Sequence, residues 1–323
     1  MSTAASTADP FTADPFLERL QAHAQAIRER PPVAPPRPIA TAPAPRPDHL
    51  AFWQSPVVRG AINRRISGDG TVAPEAHLAA AHGPAIPVPH AVSLRAGDAR
   101  LEAALVGSGA CVQITGLDGE EARAQSANAG VPEGLREQIR FQQGDLLQWT
   151  TEAPLGAVIA RSVLHRQHDL DAALDRIGEI LAPGGLVFVD EFVGPARFQW
   201  TDAQLEVINR LLACLPEELL VDLGARDGRL KRSVGRPDAA GHAVSNPDDA
   251  VCSDRIVAGL DARFERVEVH LYGGAVYHQL FTRIMGNFTA QPELVRVLME
   301  FDALLTDIGV LSSDYVWGVW RRA

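Results

Sequence analysis

Four short stretches carry the polar side chains best placed for chemistry, each following an apolar run: Arg95-Ala96-Gly97-Asp98-Ala99, Asp118, Gly144-Asp145-Leu146, and Arg161-Ser162-Val163-Leu164-His165. Asp118, closing CVQITGLD, is an acid suited to accept both hydroxyls of a ribose. Asp145 beside Leu146 offers a carboxylate and an apolar shelf for an adenine, and Arg161 to His165 bring further polar groups. A plainer role stands beside each acid, since a carboxylate at a strand end also caps the helix that follows. Farther along, Lys231, Arg232 and Arg236 lie in a Gly/Pro loop of an acidic chain, either solvated or meeting an anionic substrate group. Tyr272, Tyr277 and His278 flank Gly273-Gly274 and belong either to an acceptor pocket or to the core.

These residues need a frame. PHAVSL, CVQITGLD, IRFQQGD and GAVIARSVL read as short buried strands, with a helical pattern over Arg100 to Val106 between the first two. Leu170, Ala173, Leu174, Ile177, Ile180 and Leu181 recur at helical spacing until Pro183-Gly184-Gly185, which should stop the helix before the strand GLVFVDEF. Strands alternating with helices predict a parallel sheet, and open sheets of that kind bind ligands beyond the carboxyl ends of their strands. Thr201 and Gln204 form a capping-box pattern before the amphipathic Leu205, Ile208, Leu211, Leu212 and Leu215. FERVEVHLYGG and DYVWGVWRRA read as late strands forming an antiparallel pair at one sheet edge, with a helix from Pro292 to Gly309 between them.

The formal net charge of -10 over 323 residues argues against nucleic acid as a partner. Cys111, Cys214 and Cys252 are scattered, without a C-x-x-C pair, and fit a reducing cytoplasm. Met, Cys and Trp positions show no metal-ligand spacing, so no metal is expected. No signal peptide and no apolar run long enough to span a bilayer is visible, which predicts a soluble, unexported protein. The division expected is a flexible Ala/Pro-rich tail with one short helix over 1–48, a helical lead-in over 49–89, the sheet-bearing core over 90–200, a cap with a late strand over 201–290, and a closing helix and strand over 291–323. The short helix in the tail would pack on its own domain or on the partner in a homodimer.

The motifs in order resemble those of the class I S-adenosylmethionine-dependent methyltransferases: ITGLD for the ribose-binding acid, FQQGDLL for the adenine side, ARSVLH for the strand facing the methyl group, and LAPGGLVFVDEF after it. DEFVGPARFQW, KRSVGRP and LYGGAVYH also resemble one bacterial subgroup acting on small molecules or glycans. The resemblance implies a Rossmann-like α/β fold with a seven-stranded, mostly parallel sheet and helices on both faces. It also implies S-adenosyl-L-methionine as cofactor, held by Leu94, Gly97, Asp98, Asp118, Asp145, Leu146 and Arg161. His165 and Glu191 become the candidate bases. Arg232, Arg236, Tyr272 and His278 become the candidate substrate contacts, for an oxygen or nitrogen on a small metabolite or sugar-containing acceptor. One departure stands out. The family's three alternating glycines align with Arg95, Gly97 and Ala99, and a residue other than glycine at a left-handed position carries strain.

Two rivals stand beside this reading, the second of them favoured by that departure. One keeps the cofactor site but catalyses elimination, cyclisation or rearrangement; the other has lost the cofactor and serves as an interaction or scaffold protein. A nicotinamide dehydrogenase is disfavoured because no G-x-G-x-x-G follows a predicted strand.

Overall fold

The computed structural model describes residues 50–82 and 88–323; the short helix and proline-rich spacer expected within 1–48 lie outside the described residues. Seven strands, β1 (Val88–Leu94), β2 (Cys111–Asp118), β3 (Ile139–Gln143), β4 (Leu155–Arg161), β5 (Leu181–Phe192), β6 (Glu265–Gly273) and β7 (Tyr315–Arg321), form one sheet in the order β3-β2-β1-β4-β5-β7-β6. Strands β1 to β5 are parallel, and β7 runs antiparallel to both β5 and β6. The predicted edge pair is therefore present. After β1 the chain builds outward through β2 and β3, then returns to add β4 on the other side of β1. The crevice beyond the carboxyl ends of β1 and β4 is thus the place where a doubly wound sheet receives a ligand.

The helices are α1 (Pro56–Ser67), α2 (Pro74–His82), α3 (Arg100–Gly107), α4 (Glu121–Gly130), α5 (Leu170–Ile180), α6 (Asp202–Cys214), α7 (Ala239–Ser245), α8 (Ile256–Asp261), α9 (Tyr277–Phe281) and α10 (Pro292–Asp307). Alternation along the strands sends side chains to both faces of the sheet, as in β4, where Ala157 and Ile159 join one core cluster and Val158 and Ala160 the other. The first cluster is closed by Ile66 of α1, Leu78 of α2, Leu101 and Leu105 of α3, and Ala124 and Ala127 of α4. The second is closed by the apolar stripe of α5, with Ile256 and Leu260 of α8.

Local signals set the helix ends. The Asp169 carboxylate accepts from the Ala172 amide to start α5, and Thr201 with Gln204 makes the predicted capping box of α6. Pro183-Gly184-Gly185 behaves differently from expectation. The helix has already ended at Ile180, and Leu181 pairs with Leu155 as the first residue of β5 before the register shifts. The glycines form an irregularity inside the strand rather than a helix stop; Gly184 takes φ 76°, and a Cβ on Gly185 would sit 2.8 Å from the Ala182 carbonyl oxygen.

A third cluster lies beside the sheet. It unites Ile208 and Leu212 of α6, Leu280 and Phe281 of α9, and Val295 and Leu298 of α10 with Phe52 and Val58 of the lead-in. Among the described residues no helix is long and apolar enough to cross a membrane.

Candidate active site

The turn after β1 shows what the missing glycines cost. Arg95 has φ 69° and Ala99 φ 58°, whereas Gly97 is not among the positive-φ residues. The two left-handed positions of the turn are therefore those occupied by residues with a Cβ, at a cost of about 1 to 2 kcal/mol each. Ser162, after β4, adds a third at φ 51°. Arg95 spans the crevice between them: its Nη1 donates to the Ser162 carbonyl oxygen at 2.6 Å.

Asp118 ends β2 with its side chain almost wholly buried, and both its oxygens are engaged. Oδ2 accepts from the Ala96 amide at 2.9 Å, which ties the acid to the β1 turn, and Oδ1 accepts from the Glu120 amide at 2.8 Å. The Arg123 guanidinium, from the first turn of α4, donates through Nε at 2.9 and 3.1 Å and approaches through Nη2 at 2.9 Å. Arg123 was absent from the predicted set; a signal was present, since a residue five places beyond a strand-end acid falls in the next helix's first turn. Asp98 pairs with Arg100 at 2.9 Å. Asp145 is exposed and Oδ1 accepts from the Leu147 amide at 2.7 Å, so it closes its own turn; Leu94 and Leu146 are buried in the core beneath.

Across the crevice, Arg161 stands in register with Asp190 and lies 3.7 Å from Glu75 of α2. Desolvation raises the Asp190 carboxyl to about 6, against the pull of Arg161, and its Oδ1 accepts from the Tyr272 hydroxyl at 2.8 Å. Glu191, one residue on, points to the opposite face. Its Oε1 accepts from the Val163 and Leu164 amides at 2.5 and 2.7 Å, and its Oε2 meets His165 Nδ1 at 2.7 Å. His165 Nε2 faces Asp249 at 3.7 Å. Burial alone would lower the imidazole pKa, but the Asp249 and Glu191 carboxylates outweigh it and raise it above the ordinary value. Asp249, about 80 residues downstream of His165, carries no sequence signal that links the two.

The cap residues do not converge in the same way. Lys231 is drawn inward to the carbonyls of Gln279, Leu280 and Thr282, and desolvation pushes it down to about 8. Arg232 reaches Glu217 at 2.5 Å, and Arg236 reaches Asp202 and the Trp200 carbonyl, each at 2.5 Å. His278 is enclosed by the rings of Phe52, Phe192, Phe198, Trp200 and Tyr315, its Nδ1 has no hydrogen-bond partner, and desolvation lowers it to about 4. Phe192 links this ring cluster to the rim, its ring centroid being 6.4 Å from that of His165.

Strand order, crevice and strand-end acids define a Rossmann-like fold of the class I type. Residues 95–189 match the family model described as a methyltransferase domain. That segment runs from the strained turn into β5 and is similar to a methyltransferase domain. Solved structures similar to the chain include the [4+2]-cyclase SpnF, at 13% identity and TM-score 0.46 over 85% of this chain and 98% of that one. A geranyl diphosphate methyltransferase in complex with GPP and sinefungin is similar at 15% identity and TM-score 0.45, over 78% and 77%. The N-methyltransferase NodS from Bradyrhizobium japonicum WM9 is similar at 12% identity and TM-score 0.40, over 77% and 93%. Comparison with curated proteins gave no match.

The residues fit the cofactor in one respect and obstruct it in another. A buried carboxylate joined to the β1 turn is chemically suited to accept two hydroxyls, but its oxygens already take the Ala96 and Glu120 amides and the Arg123 guanidinium, and of these only the arginine side chain is free to turn aside.

Proposed function

We propose that the chain transfers a methyl group to an oxygen or nitrogen of a small metabolite or sugar-containing acceptor, with the cap over 201–290 forming the acceptor wall. The observation that carries this reading is the hydrogen bond from the Ala96 amide to Asp118, which makes the β1 turn and the strand-end acid one site. When bound, S-adenosylmethionine supplies an electrophilic methyl carbon on a sulfonium. The chain's own work is alignment and proton removal. Asp118 holds the ribose once Arg123 is displaced, Leu94, Gly97 and Asp98 border the methionine end, and Asp145 and Leu146 border the adenine. Arg161 holds Asp190 and, through it, Tyr272 at the edge of the crevice. Glu191, itself fixed by two backbone amides, orients His165 so that Nε2 takes the acceptor's proton. Tyr272 and His278 line the acceptor side, and Arg232 and Arg236 sit on the cap's outer rim.

Calorimetry with S-adenosylmethionine and S-adenosylhomocysteine tests the cofactor site, and formation of S-adenosylhomocysteine with an acceptor present tests the transfer. Micromolar binding by the wild type, abolished in Asp118→Ala, is the expected result. Absence of binding by the wild type with recovery in Arg95→Gly would overturn it in favour of a site closed by arginine, as a cofactor-less interaction protein requires.

A further inference from the structure

A second constellation lies away from the crevice, where α2 covers the edge strand β6. Alternate residues of a strand share a face, so Glu268 and His270 project together. From α2, His77 and His82 reach the same carboxylate. His77 Nε2 stands 2.8 Å and His270 Nε2 2.6 Å from Glu268 Oε1, and His82 Nε2 stands 2.7 Å from Oε2. All four side chains are mostly enclosed, from 16% exposed at His82 to 31% at His270. The Trp317 indole backs the group, with its centroid 5.3 Å from the His77 ring and 5.7 Å from the His270 ring.

Three imidazoles directed through the same ring nitrogen at one carboxylate exceed what an ion pair needs. One cation neutralises one carboxylate, and gathering two further rings on a half-buried anion has no purpose in charge balance. The set has another meaning in coordination chemistry, because imidazole nitrogens with a carboxylate oxygen are the ligands zinc takes from proteins. His77, Glu268 and His270 each offer a ligand atom, all within 4.8 Å of one another. Bonds of about 2.0 to 2.2 Å in tetrahedral geometry separate ligand atoms by roughly 3.3 to 3.5 Å, so a small rotation of the carboxylate opens the centre.

We propose that His77, His270 and Glu268 bind one divalent transition-metal ion, zinc by preference, and that His82 fixes the ligand carboxylate through its second oxygen. The site is independent of the methyl-transfer reading, since none of its residues falls within 95–189. Its effect is to fasten α2 to the last-placed edge strand. The same helix carries Glu75 against Arg161 at the crevice, so the metal holds one wall of the active site in place without touching the reaction. A ligand-orienting partner of this kind changes metal affinity by about 10- to 100-fold when removed.

The test uses the full chain, stripped with a chelator and titrated with Zn2+ against a chromophoric competitor, and with Co2+ followed by visible absorption. Expected are one equivalent of tightly held zinc, an intense tetrahedral Co2+ spectrum, and a melting temperature that rises with zinc and falls back with chelator. His77→Ala and His270→Gln, checked for native circular dichroism, should lose the equivalent, and His82→Gln should weaken it at least tenfold. No zinc uptake by the wild type, an octahedral Co2+ spectrum, or undiminished uptake by the folded His77→Ala variant would each overturn the proposal. The wild-type Co2+ spectrum decides the matter even where a variant fails to fold.

Discussion

At the scale of single residues, the crevice is governed by two arginines. Arg95 takes a left-handed backbone where glycine costs nothing, and Arg123 occupies the Asp118 carboxylate proposed here for the ribose. Removing the competitor should help the ligand: Arg123→Ala is expected to tighten S-adenosylmethionine binding severalfold by calorimetry, and unchanged or weaker binding would count against Asp118 as the ribose acceptor. His165 gives a second prediction. Its protonated form is favoured in the fold, so a base role requires deprotonation above the ordinary imidazole value of about 6.5, and kcat should rise with pH through a midpoint higher than that. Stability moves oppositely. The contribution of His165 is complete below about pH 6.5 and is lost as pH rises through the folded value. His165→Ala should lower kcat by about 100-fold or more, and Glu191→Gln should also shift the pH midpoint downward; a profile unmoved by either variant would remove the pair from the mechanism.

At the scale of elements, what could be read in advance followed hydrophobic pattern. The strands β1, β2, β4, β5 and β7 are apolar runs buried from both sides, and α5, α6 and α10 carry strong stripes, so their place in the sequence is plain. Helix α2 falls inside the helical lead-in expected over 49–89, but no apolar stripe marks its bounds, because AHLAAAH contributes only Leu78 to the core. The partners of the site were harder still. Asp249 lies on a loop and meets His165 only through the fold, and His77 and Glu268 are separated by 191 positions. The alternation Glu268-x-His270 was the one available sign of the histidine cluster. Elements also carry their own predictions. Gly274 has φ 98°, and a Cβ there would lie 2.4 Å from the Tyr315 ring, so Gly274→Ala should destabilise by on the order of 2 kcal/mol or more in denaturant titration. Asp314, just before β7, is raised to about 8 by desolvation, against the hydrogen bond from Gln204. A raised carboxyl penalises the fold increasingly as pH climbs from about 4 towards 8. The stability advantage of Asp314→Asn over the wild type should therefore widen over that range; a constant difference would mean that the carboxyl is ionised in the fold.

At the scale of the whole molecule, the two faces of the sheet and the cap are three cores with shared walls. Phe52, far in sequence from the cap helices, packs its ring 5.5 Å from both Tyr277 and His278. Phe52→Ala is expected to cost about 3 kcal/mol, and to loosen the cap before the sheet in hydrogen exchange; equal loss of protection everywhere would show the cap and sheet to be one cooperative unit.

The position of β7 has a further consequence, for the chain as it is being made. This strand lies between β5 and β6 although it follows β6 by about 40 residues, so β6 has no neighbour to pair with until β7 has left the ribosome. Throughout that interval the outer edge of β5 stays open beside a nascent sheet that is otherwise paired, the kind of bare edge that invites other chains. Slowing translation between Gly273 and Arg321 should lengthen the exposure and lower the soluble yield, whereas the same delay before β5 begins at Leu181 should not.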